Sequence, residues 1–295
     1  MKDFIILTDS TCDMPLALRQ EYGVEYVPMN YIIDGVEYKA SLDWEAHAPK
    51  QYYDLMRNGK RVFTTQIHTD VYAKAFRDAI DAGKDVLYIS CSSALSASIN
   101  VARLTAQEIM AENPDAGIYC VDSLISSLGQ GYLAMEASRK RASGMSAKET
   151  ADYIESIKLC VNQCGTVASL EYLRRAGRVK ASKAFFGNLF GVKPIIISDR
   201  KGQNYAYKKA KGTPNARIAI ANHIAEAADG VYDELLLTHA DCQEEIELLK
   251  EEILKIAPFK KITVSIIGPI VGASVGPGTV IAFCFGKEVL IEGDE

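Results

Sequence analysis

Apolar and polar positions along the chain follow two rhythms. Short apolar runs, FIILTD (Phe4–Asp9), DVLYIS (Asp85–Ser90) and GIYCVDS (Gly117–Ser123), are bounded by turn-forming residues and predict buried strands. Between them, TDVYAKAFRDAIDAG places apolar residues three and four apart, which predicts a helix capped by Thr69 and closed by Gly83. SASINVARLTAQEIMAEN and SSLGQGYLAMEASRKRASG predict two more helices, and Pro15 opens a short one. Asp34-Gly35, inside NYIIDGVEYKA, marks a hairpin. Strands alternating with helices in this way build a parallel sheet with helices on its faces.

The pattern then changes. Ser146 to Glu149 has the form of a capping box and starts a further helix. PIIISDRKGQNYAYKKA predicts a hairpin turning near Arg200 to Gly202. NARIAIANHIAEAADG and EEIELLKEEILKIA predict helices, and DELLLTHA, ITVSIIG and TVIAFCFG predict strands. Hairpins mixed with helices suggest an α+β layer. The expected architecture is α/β with two domains: an N-terminal parallel-sheet α/β domain over 1–160 and a C-terminal α+β domain over 161–295, the boundary falling within 145–165. No internal repeat or low-complexity segment is present.

Composition narrows the chemistry. At 295 residues, 48% hydrophobic and 24% charged, the chain is of ordinary globular type. Its net charge of −5 argues against nucleic acid as the main partner. The seven cysteines are scattered; the closest pair, Cys160 and Cys164, is not a C-x-x-C motif. That usage suits a reducing cytoplasm. His47, His68, His223 and His239 lack ligand spacing, so neither a metal nor a cofactor is expected. MKDFIILTDS is read as a first strand rather than a signal peptide, and no apolar stretch approaches the roughly 20 residues that span a bilayer.

GASVG (Gly272–Gly276) matches G-x-S-x-G, the nucleophile elbow of α/β-hydrolases. An elbow needs a strand before the serine, a helix after it and a histidine further on. After Ser274 come Gly-Pro-Gly and a β-branched run, with no histidine. The expected context is therefore a glycine-rich turn between strands. In it, Gly272, Gly276 and Gly278 let backbone approach a ligand and Ser274 supplies a hydroxyl. Three further hydroxyl-rich stretches follow predicted strands: TDST (Thr8–Thr11), TTQIHT (Thr64–Thr69) and SCSSALSAS (Ser90–Ser98). They are either helix caps or parts of one anion-binding pocket at the carboxyl ends of strands. No P-loop or strand-placed dinucleotide fingerprint accompanies them. LRRAGRVKASK (Leu173–Lys183) is a basic run, either a solvated face or an anion reader.

TDSTCDMP, TTQ, SSALSAS, YCVDSLISSLGQG, LEYLRRAGRVKASKAFFGNLFGVKPII and IGPIVGASVGPGTVIAF, in this order, resemble the DegV family of bacterial fatty-acid-binding proteins over nearly the whole chain. LEYLRRAGR and VGPGT are the most specific blocks. The resemblance implies a two-domain fold with a long-chain fatty acid buried between the domains. It also implies a carrier, not itself a catalyst, for a fatty acid kinase that phosphorylates the bound carboxylate. By matching position, Thr64, Ser96, Ser98 and Ser274 would hold the carboxylate, and Arg178 would meet the head group or the partner. FFGNLFGV (Phe185–Val192) is either a wall of the tail pocket or plain core.

The chain departs from the family pattern in several places. Ile67 and His68 replace a proline and a serine, LSGT becomes LSAS, and GGR becomes AGR with Ala176. Ser274 stands where the family carries a histidine. The expected protein is cytoplasmic, has no transmembrane segment, and is compatible with transient contact with a membrane surface. The alternatives are an enzyme on a small polar substrate, either a hydrolase or a dihydroxyacetone-kinase-like protein, and a fold that has lost kinase coupling and only sequesters lipid.

Overall fold

The computed structural model describes residues 2–180, 185 and 191–293. Strands β1 (Phe4–Asp9), β2 (Val24–Val27), β6 (Asp85–Ser90) and β7 (Ile118–Asp122) form a parallel sheet in the order β2-β1-β6-β7. Ile6 of β1 lies between Val24 and Leu87. β1 and β6 are apolar almost throughout because helices cover the sheet. These are α3 (Thr69–Asp81), α4 (Ser98–Glu112), α5 (Ser127–Ala142) and α6 (Ala147–Ile157), α3 packing on α4 and α5 on α6. The short α1 (Leu16–Tyr22) lies beside α5. The capping box of α6 forms as expected, Ser146 and Glu149 bonding reciprocally. Thr69 is the first residue of α3 rather than its cap, and Gly83 ends the segment at φ 75°.

An antiparallel sheet of order β4-β3-β5 joins β3 (Asn30–Ile33), β4 (Val36–Lys39) and β5 (Val62–Thr65), with α2 (Pro49–Arg57) between β4 and β5 in sequence. Asp34 and Gly35 turn the β3–β4 hairpin at φ 53° and 80°, the double positive φ that a tight primed turn demands.

All strands of the third sheet follow Cys160. β8 (Val161–Thr166), β9 (Val192–Ser198), β10 (Asn204–Lys211), β11 (Glu234–His239), β12 (Lys261–Ile266) and β13 (Val280–Phe285) take the order β10-β9-β8-β13-β11-β12. Only β11 and β12 pair in parallel. Strand alternation splits its residues between two cores. Leu236, Ile281 and Phe283 join the core shared with the parallel sheet. Leu235, Leu237, Val280, Ala282 and Cys284 face α8 (Gly212–Ala228) and α9 (Gln243–Leu254). Helix α5 lies close against this sheet at Gly129, where a Cβ would stand 2.9 Å from the Phe283 ring.

The turn expected at GASVG is a helix. Gly268 caps it, Pro269 at the first position fixes a helical φ, and α10 runs Pro269–Val275 before Gly276 ends it at φ 75°. Burial of Ile270, Val271 and Val275 outweighs the weak helix propensity of a segment rich in glycine and β-branched residues. A further helix, α7 (Leu170–Ala176), packs beside α10. Most of FFGNLFGV lies outside the described residues; Phe185 is half-buried against the main core.

Candidate functional site

A cavity of about 250 Å³ opens where the three sheets meet. Its mouth is formed by the end of β5, the β6–α4 loop, α10 and the segment after α7. Thr64, Ser96, Arg178 and Ser274 all line it. The interior is set by Met29, Cys91, Val271, Val275 and Ile281, with Thr11, Ser126 and Gln163 among them.

Each rim residue is held by its element. Thr64 sits opposite Tyr31 in the β3–β5 ladder. The Ser96 hydroxyl donates to Ser98 Oγ at 3.0 Å. Ser98 is fully buried and does not line the cavity, so its predicted place on the ligand gives way to one behind Ser96, in the first turn of α4. Arg178 Nε donates to the Leu95 carbonyl at 3.1 Å, and the Arg178 carbonyl accepts from Asn204 Nδ2 at 3.0 Å. Among the described residues Arg178 has no carboxylate partner; its side chain donates to the Leu95 and Ala176 carbonyls.

α10 is tied down at its start. Tyr52 and Tyr53 donate to the carbonyls of Pro269 and Ile267, each at 2.6 Å. Burial holds both phenols well above their ordinary range, so they remain neutral donors. Gly268 N donates to Asp13 Oδ1 at 2.8 Å. Ser274 follows near the C-terminal end of α10, and its hydroxyl has no protein partner among the described residues.

The expected binding-loop glycines serve packing instead. None of Gly272, Gly276 and Gly278 lines the cavity. A Cβ would stand 2.5 Å from Tyr53 Oη at Gly272, 2.3 Å from the Tyr172 ring at Gly276, and 3.1 Å from Ala168 at Gly278. TDST is likewise mostly committed to internal bonds. Thr8 donates to the Ile89 carbonyl, Asp9 accepts from Thr11 N, Cys91 N and Tyr88, and Ser10 accepts from Met29 N. His68 lies outside the cavity, in a separate open groove beside α3.

Among the described residues Arg178 is the one charged residue in the cavity lining, and neither a carboxylate nor an imidazole lines it. A neighbouring groove of about 320 Å³ shares Thr64, Arg178 and Ser274 and adds Lys60, Arg61 and Arg175. Among the described residues Ser274 thus shares its groove with cations and no general base, and it does not sit on the sharp strand-to-helix turn of an elbow. Among the described residues no cluster of His, Cys, Asp and Glu could hold a metal, and no helix is long and apolar enough to cross a membrane. Of the inner wall, Thr11 and Cys91 fall in the hydroxyl-rich stretches, whereas Ser126 and Gln163 carry no distinctive sequence signal.

The model of the DegV family, described as an uncharacterised protein family, matches residues 3–287. A DegV domain-containing protein of Clostridium perfringens is 31% identical, covering 97% of this chain and 98% of its own. A solved structure from Thermus thermophilus, described as fatty acid binding of a DegV family protein, superposes with a TM-score of 0.88 at 27% identity, covering 97% of this chain and 100% of that one. A Bacillus subtilis DegV structure shares the fold with a TM-score of 0.83 at 24% identity, covering 97% and 100%. The chain belongs to the DegV family.

Proposed function

We propose that this protein binds a long-chain fatty acid and acts as a non-catalytic carrier that presents it to a fatty acid kinase. In this reading Thr64, Ser96 and Ser274 bond the carboxylate, Ser98 positions Ser96, and Arg178 supplies the countercharge. The observation that carries it is the polarity of the cavity among the described residues: hydroxyls and one guanidinium at the mouth, a mainly apolar interior of Met29, Cys91, Ile270, Val271, Val275 and Ile281 interrupted by Thr11, Ser126 and Gln163, and neither a carboxylate nor an imidazole in the lining. A tail of roughly 15 carbons offers on the order of 12 kcal/mol of gross transfer energy, much of it offset by ordering and association. The tail supplies affinity. The rim compensates the carboxylate for lost water and fixes which end faces out. The Thermus relative's description as a fatty-acid-binding protein supports the same ligand class.

The partner, compartment and domain division belong to this proposal as well. The cations of the neighbouring groove suit an acidic partner surface beside the exposed head group. Seven free cysteines suit a reducing cytoplasm. A division into units 1–160 and 161–295 places the acid between them, with rim residues drawn from both.

Thr64→Ala and Ser96→Ala should each weaken binding of palmitate or oleate about tenfold, the worth of one charge-assisted hydrogen bond. Titration of the folded variants with either acid measures this. Unchanged affinity in both places the carboxylate elsewhere, and a wild type that neither carries nor binds any fatty acid ends the carrier reading.

Ser274→His should add a pH dependence that the serine lacks. A carboxylate neighbour raises the pKa of the imidazole, so its contribution is present below that pKa and lost above it. Binding should be tighter near about pH 6 than near about pH 8, after correction for ionisation of the acid itself. A stable variant with the wild-type pH profile shows that position 274 does not face the carboxylate.

A further inference from the structure

Most buried polar side chains around the cavity are bonded to protein. Thr8, Thr11, Ser123, Ser127 and Gln130 each have a hydrogen-bond partner. Two groups in the inner wall, and one just beyond it, are not fully partnered among the described residues. Ser126 is the cap residue of α5, yet its side chain makes no capping bond; it is 8% exposed, and its hydroxyl has no partner among the described residues. Gln163, on β8 and 5% exposed, donates through Nε2 to Asn204 Oδ1 at 3.1 Å, but its Oε1 accepts nothing from a described residue. Its neighbour Asn162 differs, donating to the carbonyls of both Cys160 and Lys287. Beyond Gln163, Val275 and Ile281 the cavity adjoins a chamber of about 20 Å³, lined by Thr166, whose buried Oγ1 is also unpartnered.

Ser126 and Gln163 come from different elements and reach the same interior. Against a plain alkyl chain both stay unpaired, and an unpaired buried polar group opposes binding. A chain hydroxyl lying between them has the complementary chemistry: it donates to Gln163 Oε1 and accepts from Ser126 Oγ. We infer that the inner cavity is a second polar station, and that the acyl chain this protein takes carries a hydroxyl group part-way along its length. This inference rests on the fatty-acid reading and narrows it to hydroxy fatty acids.

The test compares octadecanoic acid with hydroxyoctadecanoic acids bearing the hydroxyl at carbon 2, 10 or 12, by direct titration of the wild-type protein. A mid-chain hydroxy acid should bind about tenfold tighter than the unsubstituted acid, because sites built for a hydroxyl reject the analogue that lacks it. The carbon-2 isomer, whose hydroxyl stays at the rim, should show no such gain. Ser126→Ala combined with Gln163→Leu should erase the preference, octadecanoic acid binding more tightly than to the wild type and the mid-chain hydroxy acids less tightly. Octadecanoic acid binding the wild type as tightly as every mid-chain isomer overturns the inference and leaves the fatty-acid reading standing. Failure of all the acids to bind removes both.

Discussion

Gly276→Ala should destabilise the protein by about 3 kcal/mol or more, well beyond an ordinary glycine replacement. Two costs add. Gly276 has φ 75° and ψ 169°, a conformation that an L side chain rarely adopts, at a cost on the order of 1–3 kcal/mol. Its new Cβ would also stand 2.3 Å from Cδ2 of Tyr172, inside any real contact distance, and overpacking typically adds about 1–3 kcal/mol. Tyr172 is poorly placed to retreat: its hydroxyl donates to the Met56 carbonyl at 3.4 Å, and the Arg175 guanidinium lies over its ring at 5.0 Å. Gly177→Ala is the matched control. Gly177 also has positive φ, at 67°, but a Cβ there meets nothing within 4 Å, so only a backbone cost of about 1–2 kcal/mol remains. Urea unfolding of the three proteins separates the terms. Equal losses for both variants would show that the Tyr172 ring yields to the new Cβ at little cost. Because Ser274 and Val275 immediately precede Gly276, the same change should weaken fatty acid binding, which Gly177→Ala should leave nearly untouched.

The segment around Gly276 also marks where sequence reading failed. β1, β6, the Asp34-Gly35 hairpin and the α6 capping box were legible because each depends on local chemistry: an apolar run, a paired positive φ, a reciprocal side-chain bond. α10 was not, because PIVGASV is a poor helix former whose helical state comes from burial of Ile270, Val271 and Val275 and from hydrogen bonds at its start that a linear sequence does not display. The site divides in the same way. Thr64, Ser96 and Arg178 stood out as a hydroxyl-rich strand end, a strand-to-helix loop and a basic run, and the fold brings them to one mouth. Ser98, two residues from Ser96, turns inward because α4 begins there. Ser126 and Gln163 gave no usable signal: a serine before a helix reads as a cap, and a glutamine in a strand reads as a solvent-facing position. Only the packing of α5 against the C-terminal sheet puts both on an interior wall.

Asp13 should make stability fall as pH rises from about 4 to about 7, and Asp13→Asn should remove that fall. The carboxyl is buried where the β1–α1 loop meets the start of α5 and the start of α10, and it accepts from Ser127 Oγ at 2.5 Å and Gly268 N at 2.8 Å. Burial pushes its pKa from an ordinary 3.8 to about 7, with the nearby Asp9 charge adding to the rise while the two hydrogen bonds oppose it. Between those values the folded protein holds a proton that the unfolded chain has released. The stabilising contribution is therefore complete below about pH 4, declines through the window, and is gone above about pH 7. At about 1.4 kcal/mol per pH unit the full change is on the order of 4 kcal/mol. Surface carboxylates that gain ion pairs on folding work in the opposite sense, so the quantity to measure is the difference between variant and wild type. Asparagine suits the position: it tolerates the φ of 52°, its Oδ1 can still accept from Gly268, and its amide can donate to the Ser127 hydroxyl. Urea unfolding at several pH values between about 4 and 8 should show Asp13→Asn gaining on wild type up to about pH 7, then a constant gap. A gap that stays level from pH 4 upward would mean that the Gly268 and Ser127 bonds, with whatever else solvates the carboxylate, offset its burial completely and that Asp13 stays ionised throughout.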